Sequence, residues 1–361
     1  GAGIAGASLA YRLAERGLAV TVMEREARPG YHASGRSAQV FLTYSDDPFE
    51  RRVVIAAAEF LRRPPAHFGT VFTASGAVLL FDEPDWAAAR DHTAALGALG
   101  RRVERLAPTE LARFLPDGCA DDAAGAIHLP DDGRLDVARL LAGYLDGARA
   151  RGATVLCGAE VTAITRTGGA CTGVSSTAGE VRAPVVVNAA GPWAGAIGAL
   201  AGATSIAFEP RRRTVLSLAA PPGVTVRDWP LICYESRGLY FAPEGDGLLA
   251  CPMDEELVAP GDAAPDPAMI AELRRRLAAH APAIAAGETR ATRAGLRTFA
   301  PDGRLVIGED PGLRGFFWLA GQGGWGIESS PVISLIAADL LTGATPTWPE
   351  AAALSPARYA T

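Results

Sequence analysis

The chain contains no lysine: all 34 basic residues are arginine. With abundant alanine, glycine and proline, this is a compositional bias that decides nothing about function. Histidine and cysteine are also sparse, five of each in 361 residues. The cysteines (Cys119, Cys157, Cys171, Cys233, Cys251) are scattered, odd in number and never spaced C-x-x-C. That excludes a zinc ribbon and a disulfide framework, and favours a reducing compartment. The histidines form no H-E-x-x-H or related pattern, so no metal is expected. A basic excess is lacking too: the net charge is −6, which argues against a nucleic-acid binder working by phosphate neutralisation. One uncharged stretch, residues 183–208, is long enough to span a bilayer. Asn188, Gly191 and Pro192 break it, so a strand, a turn and a short helix explain it better. No transmembrane segment and no signal peptide are expected, peripheral membrane contact is left open, and the expected location is cytoplasmic.

What is present is a hydrophobic content of 49%, enough for a full core and two lobes. The chain opens on Gly1-Ala2-Gly3-Ile4-Ala5-Gly6 and runs into a helical pattern through Leu13. After Gly17, residues 19–23 read as a buried strand ending at Glu24. Glycines at 1, 3 and 6 permit a tight turn and close backbone approach to a pyrophosphate, and the helix presents its positive end to that anion. Glu24 stands at the spacing of a carboxylate that accepts from a ribose diol. Neighbouring Arg25 hints at a ribose phosphate and otherwise reads as a surface residue. A dinucleotide fold needs a strand before the glycines, so the chain is read as beginning one strand late.

Further elements are expected at 139–151 (helix), 154–157, 160–165 and 181–188 (strands), 267–280 (helix) and 316–320 (strand). Between 214 and 251, short β-type runs separated by turns suggest a mostly antiparallel second sheet. A last helix runs to about Leu341 with Gly343 as its cap; Pro331 is expected in its first turn.

Three segments favour FAD over NAD. His32-Ala33-Ser34-Gly35-Arg36-Ser37-Ala38-Gln39 is a small-residue loop suited to wrapping pyrophosphate and flavin. Asn188-Ala189-Ala190-Gly191-Pro192-Trp193 is a strand end whose small residues admit a cofactor. Gly321-Gln322-Gly323-Gly324-Trp325-Gly326 leads into the final helix, whose N-terminus would stabilise an anionic reduced ring.

At these residues, and over nearly the whole length, the chain resembles the D-amino-acid oxidase superfamily of FAD enzymes, which includes glycine and sarcosine oxidases. It is most similar to bacterial D-amino-acid dehydrogenases of the D-arginine type. The resemblance rests on GAGIAG, EREARPGYHASGRSA, VVNAAGPWA, PRRRT, DWPLICYESRGLYFAP, AGLRTFAPDG and GFFWLAGQGGWGIESS. It implies an α/β fold with an α+β second domain: a Rossmann-type FAD-binding domain of residues 1–45, 136–208 and 292–345. A substrate domain of 46–135 and 209–291 is interleaved with it, and 346–361 form a tail. It further implies that Ile4, Ala5, Ser34, Gly35, Arg36, Ser37, Ala38, Val161, Ala190, Gly191, Trp193, Gly323, Trp325 and Gly326 lie against the cofactor with the residues above. Arg297 matches the arginine that clamps a substrate carboxylate and touches the flavin, the guanidinium fork suiting a carboxylate bidentately. Tyr240 matches a tyrosine that adds a second bond, Arg213 a further substrate-side arginine, and Gly324 a glycine whose carbonyl accepts from the substrate amine.

Departures from the pattern concern substrate choice. Relatives that prefer cationic substrates carry a Glu where an ungapped match puts Ala77. Their His, Thr and Tyr of an early loop fall on Val40, Leu42 and Ser45, with Tyr44 one step out of register, and a late Gln becomes Glu328. On this reading cationic substrates are disfavoured. No cysteine follows Cys251, so FAD is expected to be non-covalent. The implied reaction is hydride transfer from the α-carbon of a small D-amino acid, glycine or an N-methyl amino acid to flavin N5. The imino product then hydrolyses to keto acid and ammonia. No protein base is evident, and the electron acceptor, oxygen or a quinone, is open. Two alternatives stand beside it: a 2-hydroxy-acid oxidase or dehydrogenase using His32 as base, and a flavin-binding protein without turnover. An NAD-dependent dehydrogenase is a more distant third.

Overall fold

The computed structural model describes every residue except Asp117 and Thr361. The opening glycines lead into a helix, Ile4–Glu15, which buries Ile4, Ala7, Leu9, Ala10, Tyr11 and Ala14. It ends where Gly17 takes a positive φ of 77°, a conformation that costs glycine nothing. The chain then enters a strand, Thr21–Met23, which pairs in parallel with Thr154–Leu156 at the end of a helix, Val137–Arg149. A second parallel pair joins Val186–Asn188 to Phe316–Ala320. The first helix, the helix Val137–Arg149 and the last helix, Gly326–Leu341, share one core with these strands. Within it Tyr11 meets Phe68 edge-on at 5.5 Å.

A second layer is an eight-stranded sheet. It is antiparallel except where Leu231–Tyr234 pairs in parallel with Ala77–Phe81, so the expected antiparallel sheet holds with one parallel neighbour. Period-two alternation gives the sheet two apolar faces. Val78, Leu80, Leu216, Leu248 and Ala250 pack beneath the helix Pro267–His280, where Leu273 and Leu277 are fully buried, each contributing about 2 kcal/mol. Leu79, Val215, Cys233, Tyr240 and Cys251 form the opposite face, which looks toward the cavity described below.

The structure differs from expectation in four places. The run 181–188 is two strands, Gly179–Arg182 and Val186–Asn188, because Pro184 cannot donate to a ladder. Strand Thr289–Phe299 pairs along its length with Glu209–Leu218 in the large sheet, so a boundary between 291 and 292 would cut a continuous strand. The tail is docked: Leu354 is buried in the first core, and Arg358 donates to Asp302 and to the Leu305 carbonyl. Pro331 lies beyond the first turn of a helix that begins at Gly326; its missing N–H leaves one carbonyl of the preceding turn without its helical partner. Residues 183–208 fold, as expected, into a strand, a turn and the helix Ala194–Ala201. Among the described residues no helix is long and apolar enough to cross a membrane.

Candidate active site

A cavity of about 860 Å³ runs between the two layers, at the upper end of the size range of ligand and cofactor clefts. One end is the glycine turn. A Cβ on Gly6 would lie 2.0 Å from the Gly1 carbonyl oxygen, and one on Gly1 2.7 Å from that of Ala189. The turn therefore closes only because these side chains are absent. Glu24 is 8% exposed, and its carboxylate accepts from the Ala2 N–H at 2.7 Å and the Glu26 N–H at 3.0 Å. It thus braces the turn while lining the cavity. Ser34 Oγ accepts from the Ile4 N–H at 2.9 Å, satisfying one of the free donors of the first helix. The Arg25 guanidinium lies 4.1 Å from the Trp193 ring centroid, a cation–π contact that makes Arg25 part of the wall.

Gly3, Ile4, Ala5, Ser37, Ala38, Val161, Ala190 and Gly191 also line this region, as do Gly323, Trp325 and Gly326 at the last helix. Three expected cofactor residues stand differently. Gly6 and Gly35 are behind the wall, each packed on a backbone carbonyl, Gly35 with its hypothetical Cβ 2.3 Å from the Gly30 oxygen. Arg36 faces the cavity, but its donors serve the carbonyls of Tyr31, Ala263 and Ala294, and it pairs with Asp262 at 2.5 Å. It ties the loop to the sheet layer instead of offering a free charge.

The other end is built by strand register. Arg211 pairs with Arg297 and Arg213 with Gly295 across the antiparallel strands. Directly opposed and i, i+2 positions share a face, so Arg211, Arg213 and Arg297 all project from one side. Gly295, opposite Arg213, leaves the room. Arg213 is 6% exposed, and its Nε and Nη1 are buried without a hydrogen-bond partner. Arg297 is 30% exposed at its side chain and lies under Gly324, whose hypothetical Cβ would be 2.9 Å from the guanidinium carbon. Tyr240 is buried on the same sheet face. Desolvation, above all, raises its hydroxyl well above the usual tyrosine value, so it stays a donor.

Residues 1–340 match the family described as DAO, FAD dependent oxidoreductase. The chain belongs to this family. Glycine oxidase from Geobacillus kaustophilus is 28% identical over 359 residues, spanning 94% of this chain and 91% of that protein. The structure of iminodiacetate oxidase from Chelativorans sp. BNC1 superposes with a TM-score of 0.85 at 25% identity, covering 99% and 97% of the two chains. L-proline dehydrogenase from P. horikoshii shares the fold with a TM-score of 0.90 at 23% identity, over 99% and 96%. FAD is the cofactor of the DAO family, and the cradle fits it. The glycine turn offers a helix N-terminus and room where Cβ atoms would intrude, and the cavity continues from there to the N-terminus of the last helix.

Within this DAO-family site the acids are what sequence reasoning passed over. Glu50, Glu235 and Glu255 line the cavity with Asp46, Asp47 and Glu328. Glu50 lies in the first turn of the helix Pro48–Arg62, capped by Asp47. Burial, partly offset by a Ser45 hydrogen bond and reinforced by Asp47, pushes its carboxyl up to about 7. Burial and then Glu50 raise Glu328 well above the carboxylate range, and burial likewise raises Glu235. The D-x-x-E spacing of Asp47 and Glu50 marks a helix start; nothing in it marks a cavity wall. Glu255 sits in the run Asp254-Glu255-Glu256, which reads as solvated surface. Val40, Leu42, Tyr44 and Ser45 do line the cavity, whereas Ala77 does not; Leu79, two residues on, takes that place. The expected exclusion of cationic substrates rested on Ala77 and on a wall without carboxylates, so its premise fails. His32, named as a base for the hydroxy-acid alternative, is held by Glu26 at 2.9 Å and packs on Trp193 at 4.7 Å.

Proposed function

We propose that this chain oxidises a small amino acid, a D-amino acid, glycine or an N-substituted glycine, to the imino acid, which water converts to the keto acid and an amine or ammonia. The observation that carries this reading is that Arg297, Arg213 and Tyr240 line the same cavity from one sheet face, with Arg297 directly below Gly324. Two guanidiniums and a phenol are a receptor for one carboxylate. Glycine oxidase and iminodiacetate oxidase, among the relatives, are named for substrates of this chemistry.

The role of the protein is positioning. Arg297 and Tyr240 hold the carboxylate, Arg213 adds charge behind it, and the Gly324 carbonyl accepts from the amine. Bound FAD supplies the acceptor for the two electrons and hydrogen leaving the α-carbon. The amine must be neutral to release its electrons, so turnover rises with pH through the ammonium pKa. His32 is engaged with Glu26 and Trp193, and no observation favours the hydroxy-acid reading over this one.

The test is anaerobic mixing of the yellow protein with D-, L- and N-methyl amino acids and 2-hydroxy acids, followed by reoxidation with oxygen or a quinone. Bleaching by amino acids and not by hydroxy acids is expected; bleaching by hydroxy acids alone refutes the proposal. In the same assay Arg297→Met should abolish saturable reduction while flavin stays bound. Loss of flavin with normal reduction after reconstitution would remove Arg297 from the substrate site.

A further inference from the structure

The three arginines on one sheet face pose an electrostatic problem, since like charges on neighbouring strands repel. One residue answers it. Glu255 Oε1 lies 2.6 Å from Arg213 Nη2 and 3.6 Å from Arg297 Nη1, and Oε2 lies 3.3 Å from Arg211 Nη1. A carboxylate oxygen thus already stands between the two guanidiniums proposed to receive the substrate. Arg211 has a second partner, Glu209 at 2.7 Å, whereas Arg213, buried and with two nitrogens unpartnered, has Glu255 as its anion.

The backbone around Glu255 is pinned. Asp254 accepts from the Thr214 N–H at 2.7 Å and its hydroxyl at 2.8 Å. On the other side the Glu256 carbonyl accepts from the Arg212 N–H at 2.8 Å, and the Val258 N–H donates to Pro210 at 3.0 Å. Movement is therefore left to the Glu255 side chain, which is 40% exposed, with Arg211 as its partner on the outer side.

We infer that Glu255 is a specificity-determining residue of the substrate site: a resident carboxylate that occupies the Arg213–Arg297 pair until the substrate's own carboxylate displaces it toward Arg211. Admission then requires an anion able to replace Glu255, so an amine without a carboxylate does not open this end of the cavity. The inference rests on the carboxylate-clamp reading above and adds a competitor to it.

The experiment uses the FAD-loaded protein and benzoate, a non-reacting carboxylate, with binding read from the perturbed flavin absorbance. Glu255→Gln keeps the shape and removes the charge. Freeing a buried arginine from its anion should tighten benzoate about tenfold or more, and lower KM for a reducing amino acid with little change in kcat. Arg211→Met removes the outer partner and should weaken benzoate in the wild-type background but not in Glu255→Gln. Unchanged or weaker benzoate binding in Glu255→Gln, with flavin content normal, overturns the inference, as does an Arg211→Met effect of equal size in both backgrounds. The clamp reading fails separately: Arg297→Met would then bind benzoate as the wild type does. If benzoate perturbs neither the wild type nor Glu255→Gln, both readings fall.

Discussion

Gly324→Ala tests the substrate end with the smallest possible change. Gly324 does not have a positive φ, so alanine brings no backbone strain. Its new methyl, however, would stand 2.9 Å from the Arg297 guanidinium carbon, 3.0 Å from Nη1 and 3.1 Å from Nε. Ordinary contact between carbon atoms begins near 3.5–4.0 Å, so the guanidinium must retreat by roughly 0.6–1.1 Å. A flexible side chain does this at little cost to folding, but a bidentate clamp does not tolerate it. Losing one charge-assisted hydrogen bond is worth about 1.5–3 kcal/mol, roughly 10- to 150-fold in kcat/KM. A misplacement near 1 Å carries a similar penalty of about a hundredfold. The assay is stopped-flow reduction of the bound flavin against substrate concentration, with flavin content and melting temperature as controls. Reduction should weaken mainly through substrate affinity, with flavin retained and the melting temperature within a few degrees. Full activity with alanine in place would mean that the position of Arg297 does not matter, and the clamp would be wrong.

At the opposite end, Gly6→Val should abolish FAD retention, because even a Cβ there lies 2.0 Å from the Gly1 oxygen and the turn cannot close; a yellow variant would refute the cradle. FAD should leave quantitatively into the supernatant on acid denaturation, and flavin remaining on the precipitated chain would show a covalent link. Stability should depend on Glu50. Its carboxyl is higher folded, about 7, than its ordinary 4.5, so the folded state holds the proton more tightly. Stability from this group is complete below about pH 4.5 and lost as pH rises through 7, on the order of 3 kcal/mol. Glu50→Gln should flatten that part of the denaturant-midpoint profile between pH 5 and 8; an unchanged slope would assign it elsewhere.

Much of the fold was legible because its signals are local. The glycine turn, the helix Pro267–His280 and the strand Phe316–Ala320 each carry their own periodicity and punctuation, and they stand where the pattern put them. Pro331 and the boundary between residues 291 and 292 differ for the opposite reason. A proline's position depends on where the preceding turn begins, and a strand's sheet depends on a partner some 80 residues away in sequence. The site divides in the same way. Arg297 and Tyr240 could be reached because their surrounding motifs resemble a known family. Glu50 and Glu255 stand in none of those motifs and Glu235 stands in one without an assigned role; their place in the wall follows from how the early helix and the second sheet pack together. Ala77 shows the limit most sharply. Ala77 and Leu79 share one face of their strand, so alternation does not separate them; their place along the strand does, and a match without gaps cannot see that Leu79 is the one that lines the cavity.

The acid-rich wall and the carboxylate clamp are compatible only because of burial. Asp46, Asp47, Glu50, Glu235, Glu255 and Glu328 line the cavity along with the two arginines proposed to receive a substrate carboxylate, and if all were ionised such a carboxylate would meet a repulsive field. They do not act alike. Asp47 spends an oxygen on the Phe49 and Glu50 N–H groups, Asp46 pairs outward with His92 at 3.3 Å, and Glu255 is matched to Arg213 at 2.6 Å. For Glu50, Glu235 and Glu328 burial outweighs the attraction of Arg297 for the first and last and of Arg213 for the second, and raises all three, which favours their neutral forms. A closed, occupied cavity removes more water and strengthens that preference. Burial thus weakens the opposition of these acids to the Arg297 guanidinium, which is proposed to receive the substrate beside the Arg213–Glu255 pair. The proposed clamp therefore depends on two neighbouring strands of the large sheet for its arginines and on burial to temper the acids around them.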